Sequence, residues 1–139
     1  MLDINKISTG TVLPSLVKEV RQADINLYAE ASGDHNPIHI DEAFAKSTPL
    51  GGTIAHGMLV LAYISELMTV AFGDQWLEGG ALDIRFRAPA RPGDKLRVSG
   101  EVTALATEVG ATVVKCRVEC RNQRGEININ GDAAVRIAA

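Results

Sequence analysis

Two short segments hold the side chains of this chain that are equipped for chemistry. In Ala31-Ser32-Gly33-Asp34-His35-Asn36-Pro37-Ile38-His39-Ile40-Asp41 a carboxylate, Asp34, and an imidazole, His39, are separated by a bend that Gly33, Asn36 and Pro37 shape. A carboxylate beside an imidazole is the smallest apparatus that positions a water, takes its proton and returns a proton elsewhere. The second segment, Ile54-Ala55-His56-Gly57-Met58, opens a strongly apolar helix. Amides at a helix start have no acceptor within the helix and sit at the positive end of its dipole. Gly57 N–H is therefore a candidate donor to a carbonyl oxygen that gains negative charge.

Each residue also has a plainer reading. Asp34 would serve as a turn residue, His39 as a structural histidine, and Gly57 as a small residue for helix packing. The joint occurrence of Asp34, Asn36-Pro37 and His39 with a second His-Gly element favours the chemical reading, with Asn36 holding the loop or a substrate. Asp34, His39, Asp41 and His56 are also possible metal ligands. Their spacing matches no helical ligand pattern and Asp41 is explained as a helix cap, so no metal is expected. Ser65, inside the apolar helix, either points toward the loop or bonds to its own backbone. Arg85, Arg87, Arg91 and Lys95 read as a solvated face.

A chain of 139 residues with 46 % apolar and 22 % charged residues is expected to form one domain, 1–139, with its own core. A net charge of −3 and only three Phe, two Tyr and one Trp argue against nucleic acid as a partner. The apolar run from Met58 to Phe72 is too short for a membrane span and is broken by Glu66. No basic segment followed by an apolar one opens the chain, which gives an expectation of a cytoplasmic protein without a membrane partner. Cys116 and Cys120 lie on one strand too far apart to pair, roughly 13 Å, and read as small buried hydrophobes.

The elements that must position the two segments follow from periodicity. Four blocks alternate with period two: Leu82 to Ala88, Leu96 to Ala104, Thr112 to Cys120 and Ile127 to Ile137. Turn residues at Pro92-Gly93-Asp94, Gly110 and Asn122-Gln123-Arg124-Gly125 predict an antiparallel meander with one apolar face. The cover for that face is a helix starting near Ala55–Gly57 and stopping at Gly73, apolar nearly all round. A shorter helix is predicted over Ile25–Ser32, capped by Asp24 and ended by a left-handed Gly33. A helical turn is predicted over Glu42–Lys46 with Asp41 as its cap, and a less regular strand over Leu13–Val20. The sum is an α+β chain, an antiparallel sheet wrapped around one long central helix, which is the hot-dog arrangement. Open sheet edges make dimerisation the expected remedy.

The run Tyr28-Ala29-x-x-Ser32-Gly33-Asp34-x-Asn36-Pro37-Ile38-His39-x-Asp41, then Ile54-Ala55-His56-Gly57-Met58, resembles the signature of the MaoC-like dehydratases, which include the (R)-specific enoyl-CoA hydratases. Arg85-Phe86-Arg87-Ala88-Pro89, Arg91-Pro92-Gly93-Asp94 and Asn130-Gly131-Asp132-Ala133 are similar to the same family, so the likeness spans roughly residues 10 to 139. The resemblance implies reversible hydration of a trans-2-enoyl thioester, with acyl-CoA or acyl-ACP as substrate, a homodimer or dimer-based oligomer, and neither metal nor cofactor. It implies Asp34 and His39 as the catalytic dyad and Gly57 N–H as the oxyanion donor. Asn36, Ser65 and His56 are supporting or substrate-binding positions. Two alternatives stand beside this reading: a hot-dog acyl-CoA thioesterase, and a non-catalytic acyl-thioester-binding subunit.

Overall fold

A computed structural model describes all residues, 1–139. After a single 3₁₀ turn at Ile4–Lys6, the chain forms β1 (Leu16–Glu19), α1 (Gln22–Ser32), α2 (Pro37–Ile40), α3 (Glu42–Lys46), α4 (Gly57–Phe72) and α5 (Asp74–Gly79). Four strands complete it: β2 (Gly80–Phe86), β3 (Lys95–Glu108), β4 (Ala111–Arg121) and β5 (Ile127–Ala138). One antiparallel sheet of five strands runs in the order β1-β3-β4-β5-β2.

The sheet's alternation works as its periodicity requires. Leu96, Val98 and Val102 of β3, Val114, Cys116 and Val118 of β4, and Ala133 and Val135 of β5 are buried against Ile64, Leu67 and Met68 of α4 in one core cluster. Charged residues such as Lys95, Arg97, Lys115 and Arg117 take the intervening positions and stay exposed. With apolar residues on most of its circumference, α4 is the element that the sheet wraps, the hot-dog arrangement.

Only β3, β4 and β5 form the expected meander. β2 does not pair with β3; it lies on the far side of β5, with Ile84 opposite Gly131. The cause is the proline-rich connection 87–94, which is a crossover and not a turn. It leaves β2 with Arg87 N–H still donating to Asn128 O of β5 (2.8 Å), passes Ala90, whose carbonyl accepts from Ala55 (2.8 Å), and reaches the end of β1 where Gly93 donates to Val20 O (2.8 Å). Gly131 makes the close β2–β5 pairing possible: its φ is +155°, and a Cβ there would lie 2.3 Å from Asp83 O.

The helix expectations need smaller corrections. α1 begins at Gln22, before the expected Asp24 cap, and Arg21 precedes it without a side-chain cap bond. Asp24 sits in the first turn, where its charge favours the dipole. Gly33 ends α1 in the left-handed conformation, φ 76°, and Asp41 caps α3 by accepting from Phe44 N–H, both as expected. β1 is shorter than the predicted strand, and α2 and α5 are single short helices that periodicity is too coarse to reveal.

Cys116 and Cys120 are fully buried free thiols, and burial pushes them up to about 11 and about 12, with the Glu119 charge adding to the second. The unfolded chain ionises these thiols near the ordinary value of 9.0, so it loses protons first as pH rises. Their contribution to stability is complete below pH 9 and disappears progressively above it. Urea midpoints are expected to fall above pH 9, with a shallower fall in a Cys116→Ala/Cys120→Ala variant. Equal slopes in the two proteins would contradict this.

Candidate active site

The first segment folds by local hydrogen bonding. Gly33 N–H closes α1 on Ala29 O, and the left-handed turn sends the chain outward at Asp34. Asp34 Oδ1 accepts from Asn36 N–H (3.2 Å), an Asx turn that fixes the carboxylate's own orientation. Asn36 caps the next helix, its Oδ1 accepting from Ile38 N–H (3.1 Å), and Pro37 occupies the first helical turn with φ already set. The single turn of α2 then swings His39 back over the bend. Asp34 Oδ2 and His39 Nε2 come to 3.9 Å apart. Asn36 thus holds the loop through its Oδ1.

The protonation pattern of His39 is decided by its other nitrogen. Nδ1 lies 2.8 Å from the carbonyl oxygen of Ile54. A carbonyl only accepts, so Nδ1 carries the hydrogen and, in the neutral ring, Nε2 presents its lone pair to Asp34. Two acceptors therefore face each other with no donor between them. A water about 2.8 Å from each, donating one O–H to Oδ2 and one to Nε2, satisfies both. The imidazole is 12 % exposed and the carboxylate 53 %, so the pair is open from the Asp34 side.

His56 is the post on which this pair rests. It is 2 % exposed, its Nε2–H donates to Asp34 O (3.0 Å), and its ring stacks on His39 with centroids 3.8 Å apart and planes at 25°. Tyr28 flanks the same ring at 4.7 Å. One residue further, Gly57 opens α4 and is exposed, and its first-turn amide has no acceptor within the helix. A side chain there would crowd Phe86: a Cβ on Gly57 would lie 3.0 Å from its ring. Consecutive residues thus supply the ring that supports Asp34 and His39 and the first residue of α4.

Asp34, His39 and His56 each offer a ligand atom within 4.8 Å of the others. The arrangement suits a metal poorly. Lone pairs of imidazole lie in the ring planes, and nearly parallel stacked rings cannot aim them at one ion as tetrahedral coordination requires. Asp41, the fourth possible ligand, is committed to capping α3.

Ser65 lies two turns along α4, where its Oγ accepts from Trp76 Nε1–H (2.9 Å). This bond ties α4 to α5. His35, adjacent to Asp34 in sequence, faces Glu30 at 3.1 Å, and hydrogen bonding to that carboxylate raises its pKa above 6.5. Arg85, Arg87 and Lys95 are exposed as expected, while Arg91 is half-buried and donates to Leu50 O.

Behind His39 stands a second set of residues that no local pattern reveals. Gln22 Nε2–H donates to the His39 carbonyl (2.7 Å) and to Asn26 Oδ1 (2.9 Å), which leaves Gln22 Oε1 facing Thr53 Oγ1 at 2.7 Å. Thr53 is 4 % exposed and meets Glu42 Oε2 through both its N–H (3.3 Å) and its hydroxyl (3.0 Å). Thr53 precedes Ile54, whose carbonyl orients the imidazole. Gln22 therefore grips both the backbone of His39 and the segment that aims its ring.

The chain is similar to several known proteins. A family model for the MaoC like domain matches residues 6–123. A 3-hydroxybutyryl-CoA dehydratase of Methylorubrum extorquens is 37 % identical over 127 residues, covering 88 % of this chain and 76 % of that protein. An (R)-specific enoyl-CoA hydratase of Rhodospirillum rubrum is 35 % identical over 129 residues, covering 90 % and 85 %. Among solved structures, the (R)-hydratase from A. caviae involved in PHA biosynthesis superposes with a TM-score of 0.82 at 28 % identity, covering 95 % of this chain and 98 % of that one.

Gln22→Ala removes the only side-chain donor to the His39 carbonyl. It is expected to destabilise the protein by about 1–2 kcal/mol in urea unfolding and to speed solvent exchange of the His39 Nδ1 proton in NMR spectra. Exchange and stability both unchanged would show that Gln22 does not hold His39.

Proposed function

The chain belongs to the MaoC like domain family, and we propose that it is a hydro-lyase that adds water reversibly across a trans-2-enoyl thioester to give the (R)-3-hydroxyacyl form. The observation that carries this reading is the pair of facing acceptors, Asp34 Oδ2 and His39 Nε2, 3.9 Å apart, with His39 stacked on His56, the residue before exposed Gly57.

Hydration of an enoyl thioester needs a base for water, an acid for Cα and a donor for the thioester oxygen. Water held between the dyad attacks Cβ while one dyad member takes its proton. The electron pair of the double bond moves through Cα toward the carbonyl, whose oxygen gains charge against Gly57 N–H at the positive end of α4; one such donor is worth about 3–4 kcal/mol in a transition state. The proton then passes from the dyad to Cα, restoring both groups. Asp34 and His39 act as one coupled unit in this scheme. Gln22 and His56 position it.

The substrate we assign is an acyl-CoA or acyl-carrier thioester. We also assign a homodimer. β2 is an edge strand, paired with β5 on one side only, and a second copy of the chain supplies the missing neighbour. No helix is long and apolar enough to cross a membrane. We place the protein in the cytoplasm, where the free buried thiols remain reduced.

Asp34→Asn and His39→Gln are each expected to lower kcat/KM for crotonyl-CoA hydration by about 100-fold or more, with circular dichroism and Tm near wild type. Wild-type turnover in both variants, or release of free thiol in place of loss of enoyl absorbance, would overturn the assignment. Light scattering is expected to give twice the 14.8 kDa chain mass, and a monomer mass would refute the dimer.

A further inference from the structure

The edge strand β2 carries charges that its own sheet leaves unmatched. Asp83 lies directly opposite Asp132 of β5, and like charges in facing positions are destabilising. Arg117 of β4 faces Asp132 from the other side but is paired with Glu101 (3.4 Å). No cation of the chain comes within ion-pair distance of Asp83 or Asp132, and no carboxylate within that distance of Arg85. Asp83 and Arg85 are exposed and two residues apart, so they share the outer face of the sheet at its edge.

Hydrogen bonding fixes which backbone groups this edge offers. Arg87 N–H donates to Asn128 O (2.8 Å), continuing the β2–β5 register, so the odd-numbered residues of β2 bond to β5. Leu82, Ile84 and Phe86 therefore turn their N–H and C=O groups to the free side. A second copy related by a two-fold axis pairs even positions with even ones, which leaves few registers. Centred on Leu82, the pairing sets Asp83 against Ala81 and Arg85 beyond the start of the strand. Centred on Asp83, it sets Asp83 against Asp83. Centred on Arg85, it sets Arg85 against Arg85 and gives Asp83 only Arg87, which is bonded to Asn130 (3.0 Å). Centred on Phe86, it sets Arg85 against Arg87. Centred on Ile84, it sets Asp83 of each copy against Arg85 of the other.

We propose that two copies of the chain join β2 to β2 in an antiparallel register centred on Ile84, with reciprocal Asp83–Arg85 ion pairs on the outer face. This register rests on the dimer assigned to the β2 edge and specifies it. It gives Asp83 the cation that its own sheet withholds, and it joins two five-stranded sheets into one. On the inner face Phe86, 55 % exposed, receives Leu82 of the second copy. A Cβ on Gly57 would lie 3.0 Å from the Phe86 ring, so the second copy backs the ring that borders the first residue of α4. The other edge of the sheet competes poorly, because β1 has four residues against seven in β2.

The test is a charge exchange read as the dimer Kd in analytical ultracentrifugation. Asp83→Arg and Arg85→Asp are each expected to raise Kd at least about tenfold, because each turns two opposite-charge contacts into like-charge ones. The double variant restores both pairs with their signs exchanged, and its Kd is expected within about threefold of wild type. Circular dichroism of all three variants is expected to match wild type. Cysteine pairing reads the register by a second route. Asp83→Cys and Arg85→Cys proteins are expected to form a disulfide-linked dimer when mixed and gently oxidised, and neither to do so alone; Cys116 and Cys120 are buried and do not compete. Self-linking of either variant would put that residue on the two-fold axis and overturn the register while leaving the dimer. So would single variants that bind as wild type, or a loss that the double variant does not recover. A monomer at every concentration refutes the dimer itself, and the register with it.

Discussion

The way Asp34 and His39 face each other depends on one hydrogen bond made on the far side of the imidazole. His39 Nδ1–H is committed to the Ile54 carbonyl at 2.8 Å, and this commitment makes Nε2 an acceptor in the neutral ring. Facing a carboxylate at 3.9 Å, that acceptor leaves room for a molecule with two O–H donors. Were the tautomer reversed, Nε2–H would donate to Asp34 directly and the dyad would close on itself. The carbonyl that decides this is held in turn by the buried contacts of Thr53 with Gln22 and Glu42. The orientation of the imidazole is thus set by residues distant from Asp34.

The fold supplies what the loop alone cannot. A helix as apolar as α4 can only be buried, and the sheet closes around it. Burying the helix body leaves its N-terminus at the surface, with His56 sealed beneath and Gly57 open above. Because His56 stacks on His39 and holds the Asp34 carbonyl, the dyad is registered against the start of the helix and not merely near it. The crossover 87–94 completes the register by pinning Ala55 through Ala90.

Much of this was legible in the residues because its causes are local. Gly33 as a left-handed stop, Asn36-Pro37 as a cap and first turn, Asp41 as a cap, and the period-two strands all act within a few residues of themselves. What was not legible depends on partners distant in sequence. Gln22 and Thr53 look like ordinary polar residues until α1 and the loop before α4 are brought together. The position of β2 beyond β5 was hidden because Pro92-Gly93 reads as a turn, whereas the whole 87–94 segment is needed to carry the chain across. Ser65 illustrates the same limit, since its hydroxyl serves the indole of Trp76.

In the proposed mechanism a single dyad holds the water and later returns its proton, which requires both new bonds to form on the same face of the double bond. Hydration of crotonyl-CoA in D₂O, with the 3-hydroxybutyryl product analysed by NMR for the relative configuration at Cα and Cβ, tests this most directly. The account requires one diastereomer in which deuterium and hydroxyl have added syn. Anti addition, or a mixture of both diastereomers, would mean that Asp34 and His39 do not share one water, and the mechanism would fail.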